Sequence, residues 1–97
     1  MKVEAILREL EQAARQLGIR VSYEHIDGEL GAGGLCRVRG QWRIIVDRRT
    51  TPGERVGMLA EALARFDLAG IELSPAAAQV VERSRGLGSS SRPGPGR

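Results

Sequence analysis

The sequence predicts an α+β domain: an N-terminal helix, a three-stranded antiparallel meander sheet, then two helices packed on one face. Three observations predict it. Apolar residues recur at three- and four-residue steps from Val3 to Leu17 and again from Val56 to Phe66. Between those stretches the period drops to two, in "IRVSYEHI" and "LCRVRGQWRIIVD". Glycine, proline and capping residues stand where the period changes.

The first helix spans about 2–17. Val3, Ile6, Leu7, Leu10, Ala13, Ala14 and Leu17 form its apolar stripe, and Gly18 follows where a left-handed residue ends a helix. Strand one covers 19–26, with Ile19, Val21 and Tyr23 on one face and Arg20, Ser22 and Glu24 on the other. "DGELGAGG", 27–34, is a loop. It matches no phosphate-binding glycine pattern, and Asp27 and Glu29 would repel phosphate.

Residues 35–47 read as a hairpin broken at Gly40, since a tight turn needs a residue tolerant of positive φ. Cys36, Val38, Trp42, Ile44 and Val46 are expected inward, which puts Arg37, Arg39 and Arg43 together outside; Ile45 fits the alternation less well. "TPGE", 51–54, is a helix start: Thr51 caps, Pro52 takes the first position and Glu54 completes a capping box. Val56, Leu59, Leu63 and Phe66 then mark the buried side of that helix, with Glu61 and Arg65 as an exposed pair. Ser74 and Pro75 open a third helix after Leu73, a candidate staple. Residues 1–83 are expected to form the single domain, and 84–97 a disordered Gly/Ser/Pro/Arg tail.

A chain of 97 residues has room for one core. That core must be aliphatic, because Tyr23, Trp42 and Phe66 are the only aromatics. A thin core of this kind invites a partner or self-association to finish burying it. The pI near 10 hints at nucleic acid. Yet three of the 15 basic residues fall in 84–97, leaving 12 against 12 acids in the domain. A neutral domain lacks the usual electrostatic footprint of nucleic-acid binding.

Cys36 alone forms neither an internal disulfide nor a thiolate zinc site, and reads as a small buried hydrophobe. The N-terminus lacks the apolar segment of a signal peptide, and no run reaches the ~18 apolar residues of a membrane span. The expected localisation is cytoplasmic, with no membrane contact.

One stretch carries a resemblance. In "GQWRIIVDRRTTPGERVGMLAEALARF", 40–66, a strand ends in Asp, a capped Pro-Gly-Glu-Arg start follows, and the helix reads "LAEALARF". This resembles the ImmA/IrrE-like family, small zincin-type metallopeptidases of bacteria and phages, whose helix carries a phrase like Leu-Ala-His-Glu-Leu-Gly-His-Tyr. The resemblance implies a minimal zincin-like fold, but none of its chemistry. The two ligand histidines fall on Glu61 and Arg65, and the catalytic glutamate on Ala62. Zinc needs two neutral imidazoles one turn apart and a carboxylate to activate its water. His25, the sole histidine, lies on the first strand and reads as a surface residue. The chain thus resembles a degenerate, catalytically empty relative, with no cofactor and no metal.

No nucleophile–base motif is recognisable either. The first expectation is a non-catalytic protein-interaction or regulatory module, binding another protein or itself. Its candidate partner-binding residues are Arg37, Arg39, Trp42, Arg43, Arg48 and Arg49. Trp42 has two readings, a core residue or a binding anchor. The alternative function is nucleic-acid binding through the arginine-rich hairpin 37–49 and the basic tail. Against that, the sheet lacks the exposed aromatics on which single strands stack.

Overall fold

The computed structural model of the chain describes residues 2–26 and 33–91. The elements are α1 (Val3–Gln16), β1 (Arg20–Glu24), β2 (Gly33–Val38), β3 (Gln41–Asp47), α2 (Pro52–Leu63) and α3 (Pro75–Ser91). The α+β order of one helix, three strands and two helices is the one the periodicity predicts.

α1 buries Leu7, Leu10, Ala13 and Ala14. It ends as its glycine foretells: Gly18 has φ 79°. The Gly18 N–H donates to the Arg15 carbonyl at 3.0 Å, and the Ile19 N–H to the Ala14 carbonyl at 2.8 Å. These paired bonds satisfy two carbonyls the helix would otherwise leave open. They also turn the chain straight into β1.

The sheet is not the expected antiparallel meander. It is mixed, in the order β1-β3-β2, with β3 parallel to β1 and antiparallel to β2. The physical reason lies in β3 itself. Ile44, Ile45 and Val46 are apolar on both faces, and such a strand belongs between two neighbours rather than at an edge. The untidy Ile45 was the mark of a central strand.

Arg39 and Gly40 form a two-residue turn with φ 53° and 82°, both positive, as a type I′ hairpin turn requires. The turn fixes the pairing Val38↔Gln41, hence Arg37↔Trp42 and Leu35↔Ile44. This reverses the expected facing of β2. Leu35 and Arg37 share the helix side with Trp42, Ile44 and Val46. Cys36 and Val38 lie on the outer side with Arg43 and Ile45. In "LCRV" either alternate pair could turn inward, and the larger aliphatic, Leu35, took the core side. Cys36 is consequently half-buried on the outer face instead of sealed in the core.

β2 also starts earlier than expected, because Gly33 and Gly34 are already strand. The rest of the glycine-rich segment, 27–32, lies outside the described residues. Gly33 has φ 115°, and a Cβ built there would stand 1.9 Å from the Ile45 carbonyl oxygen. Only glycine lets the two backbones come that close.

α2 begins with the full capping box: Glu54 N–H donates to Thr51 Oγ1 at 3.2 Å, and Thr51 N–H to Glu54 Oε1 at 2.8 Å. Val56, Leu59, Ala60, Ala62 and Leu63 are buried along it. The helix stops at Leu63, so Phe66 does not extend its stripe. Phe66 sits beyond the end in a turn closed by its N–H on the Leu63 carbonyl at 3.0 Å. Ser74 caps α3, accepting from the Ala77 N–H at 3.3 Å. α3 then continues through Ser91, so residues 84–91, expected to be unstructured, are helical; 92–97 lie outside the described residues.

The core joins Leu10 of α1, Ile44 and Val46 of β3, Leu59 and Leu63 of α2, and Val81 of α3, all fully buried. Each such side chain contributes about 1.5–3 kcal/mol by leaving water, before the entropy of ordering it is subtracted. The helices pack on one another and on the strands from this side. Ile45, Cys36 and Val38, on the opposite side, stand outside the core cluster.

Candidate functional site

The hairpin and the turn after it contain all six residues singled out from sequence, and the fold divides them among three surroundings. Arg37 and Trp42 are cross-strand partners on the helix side. The Arg37 guanidinium lies 5.4 Å from the Trp42 ring centre, within cation–π range. The other edge of Trp42 meets Phe66, with ring centres 5.6 Å apart and planes at 86°. This edge-to-face contact is a favoured aromatic geometry. Trp42 is still 36% exposed. Trp42 thus packs in part against the fold, and the remainder faces solvent. Val38, 41% exposed, and Arg39 stand at the same end of the hairpin, Val38 on the outer face.

Arg43 lies on the outer face. Its parallel partner there is Arg20, which sequence reasoning had placed on one strand face with Ser22 and Glu24 but not in any site. Two arginines side by side repel, and among the described residues neither makes an ion pair. The signal for this pair is a register, and a parallel register is invisible without the sheet order.

Arg48 and Arg49 belong to the turn that leads from β3 to α2. Asp47, 6% exposed, organises that turn. Its Oδ1 accepts from the Arg49 backbone N–H and Nε, each at 3.0 Å, and its Oδ2 from Nη2 at 2.7 Å. The Arg49 hydrogen bonds, side chain first and backbone second, hold the Asp47 carboxyl down at about 2. Arg49 Nη2 also donates to the Ile26 carbonyl at 2.9 Å, tying in the chain beyond β1. Arg48 is exposed; its N–H bonds the Glu24 carbonyl at 2.9 Å, and its carbonyl accepts from Arg55 Nη2 at 2.8 Å.

Arg55 was missed from sequence. Its Nε donates to Thr50 Oγ1 at 3.1 Å, and its guanidinium lies 4.5 Å from the centre of the Tyr23 ring. The Tyr23 hydroxyl donates in turn to Glu11 on α1. Burial, then the Glu11 bond and charge, push the Tyr23 hydroxyl well above the ordinary phenol range. Arg49 and Arg55 thus stitch β1, the β3–α2 turn and α1 together.

The outer face is the surface that sequence reasoning misjudged. Across it, Arg20, Arg43 and Cys36 form one row, and Ser22, Ile45 and Gly34 the next. Glu24 and Asp47 follow at the far end. A Cβ built on Gly34 meets nothing within 4 Å, so that side is open. A shallow recess lined partly by Glu24, Gly34, Cys36 and Ile45 opens there.

At the positions where the metallopeptidase resemblance would need its machinery, Glu61 is exposed, Ala62 is buried and Arg65 lies past the end of α2. A ligand pair one turn apart requires both positions on one helix. Among the described residues, no three of His, Cys, Asp and Glu gather as metal ligands would. No described helix is long and apolar enough to cross a membrane. No known protein family, curated protein or solved structure matches the chain.

Proposed function

We propose that this chain is a non-catalytic protein-binding module, with a regulatory role through its partner, whose contact surface is the end of the β2–β3 hairpin. The observation that supports it best is Trp42: a large aromatic, 36% exposed, flanked by Arg37 at 5.4 Å and backed by Phe66. Tryptophan and arginine are the residues most enriched at energetic centres of interfaces. Here the fold holds them in place, so little side-chain entropy remains to be lost on binding. Arg39 and Val38 widen the same end. The chemistry fits a partner segment that offers a carboxylate to Arg37 or Arg39 and an apolar group to Trp42.

Nucleic-acid binding has less support. Arg37 and Arg43 point to opposite sides of the sheet, and Arg49 and Arg55 are engaged within the fold. No continuous basic stripe runs along the hairpin. The reading of an emptied zincin-type core rests on residues 40–66 alone, and the binding proposal does not depend on it.

Trp42 is the only tryptophan, so its fluorescence reports on this surface directly. Partners captured from cell extract by the intact chain should be lost with Trp42→Ser and with Arg37→Ala, and binding should shift the Trp42 emission. Partners retained by both variants would remove the site. Binding to mixed DNA and RNA that weakens steeply with salt would favour the alternative, because phosphate contacts release counterions.

A further inference from the structure

A different surface carries a second inference, independent of the hairpin-end site: we propose that a second copy of this chain docks on the outer face of the sheet, about a two-fold axis running along the row of Ser22 and Ile45. The face is charged in opposite senses at its two ends. Arg20 and Arg43 stand at one end without an acid partner among the described residues. Glu24 stands at the other; it accepts from Ser22 Oγ at 2.9 Å and among the described residues pairs with no cation. Ser22 lies midway between Arg20 and Glu24 on the same side of β1.

A two-fold axis lying in the interface and perpendicular to the strands reverses strand direction while keeping each strand over its own copy. Arg20 then comes over Glu24 of the partner subunit, and the pair forms twice. Arg43 arrives over the Asp47–Arg49 unit, which is neutral as a whole. The alternative axis, parallel to the strands, would leave Glu24 without a cation. Only the first arrangement is self-complementary in charge, as an isologous contact must be.

The centre of the face suits the contact. Ile45 and Cys36 are apolar and lie outside the core, and the row of Ile45 and Gly34 falls on the axis, where Gly34 adds no side chain to hold the two sheets apart. Three strands about 4.8 Å apart and about five residues long make a small patch. A footprint of about 14 by 17 Å on each copy makes a contact of roughly 500 Å² in total, below the size of standard specific interfaces, so self-association is weak and is read at high concentration. Its charged pairs make it salt-dependent.

The test uses four forms of the full chain in sedimentation over a wide concentration range: the native sequence, Arg20→Glu, Glu24→Arg and, as a control at the hairpin end, Trp42→Ser. Arg20 and Glu24 are exposed, so both charge-reversal variants should keep the native melting curve. The native chain should dimerise. Each charge-reversal variant places like charges opposite each other twice and should weaken self-association about tenfold or more, on the order of 1.4 kcal/mol. An equimolar mixture of these two variants should dimerise again, because in the mixed dimer the acid introduced at position 20 meets the base introduced at position 24 in one contact, and the native Glu24 and Arg20 meet in the other. A native chain that stays monomeric overturns the proposal. So does a dimer that both variants leave intact, or a mixture that fails to recover. Loss of the dimer on Trp42→Ser, with Arg20→Glu silent, would instead make the hairpin end the self-contact.

Discussion

Arg49 and Asp47 are joined by three hydrogen bonds across a two-residue step, with Nη2 2.7 Å from Oδ2 and both Nε and the backbone N–H 3.0 Å from Oδ1. The same guanidinium reaches the Ile26 carbonyl at 2.9 Å. One side chain therefore fixes the exit from β3 and the exit from β1 together, and it sets the protonation of a nearly buried carboxyl.

That arrangement gives a pH dependence with a definite sign. The Asp47 carboxyl titrates at about 2 in the fold and near 4 in an unfolded chain. Its contribution to stability is fully present above about 4 and is lost as pH falls toward 2. Asp47→Asn should lower the melting temperature at neutral pH, and the gap to the native chain should narrow across that acid window. A gap that stays constant from pH 6 to about 2 would contradict the assignment.

Tyr23 is the only tyrosine, so its ionisation can be followed by ultraviolet absorbance. Burial raises it first and Glu11 second, with Arg55 pulling the other way, so it should ionise well above the usual pH of about 10. Glu11→Gln should bring the midpoint down but not to the ordinary value, since burial remains. Here the stabilisation is fully present below about 10 and is lost as pH rises above it. Tyr23→Phe should cost about 1 kcal/mol at neutral pH, the worth of an average hydrogen bond.

Leu63 is fully buried at the last turn of α2, while Glu61 and Arg65 are exposed. Leu63→Ala should cost about 2–5 kcal/mol, since a core with few large side chains has little to collapse into the cavity. Glu61→Ala and Arg65→Ala should each stay within about 0.5 kcal/mol. Denaturant melts of the three variants read the difference, and a costly Glu61→Ala would give that side chain a role the packing does not.

Two adjacent glycines should behave in opposite ways. Gly33→Ala would force a Cβ against the Ile45 carbonyl at a positive φ, and should cost about 1–3 kcal/mol or more in strain and lost pairing. Gly34→Ala has open space and an ordinary φ. It should be neutral, or gain up to about 1 kcal/mol by reducing the freedom of the unfolded chain. Thermal melts of the pair check this directly.

The helices were largely legible in the sequence because their signals are local. The Leu–Ala stripe of α1, Gly18 past its end, and the Thr51–Glu54 box each act within a few residues, and each stands where its spacing put it. The sheet order was not legible, because it depends on which strand is apolar on both faces, and Ile45 was one residue's worth of signal. The facing of β2 failed for a related reason: "LCRV" offers two inward pairs, and only the register set by the Arg39–Gly40 turn chooses between them. The candidate site inherited both errors: the β2 register sets Arg37 beside Trp42, and the parallel β1–β3 register sets Arg20 beside Arg43. Arg55 left no trace at all, since its partners are a threonine hydroxyl and a backbone carbonyl of the turn and a ring on β1. As for α3, composition predicts disorder after residue 83, while the backbone stays helical to Ser91.

The strand that the chain makes last is the one that sits in the middle. β1 emerges first and has no neighbour until β3 exists, because Arg20 pairs with Arg43 and Glu24 with Asp47. β2 and β3 need only a two-residue turn to meet, an event on the order of 1–10 µs. During synthesis, then, β1 waits with both edges unpaired. The hairpin closes as a local unit and afterwards captures β1 at the larger entropic cost of a long loop. Substitutions at the Arg39–Gly40 turn belong to the early step and should slow folding, whereas Val21→Ala in β1 should chiefly hasten unfolding.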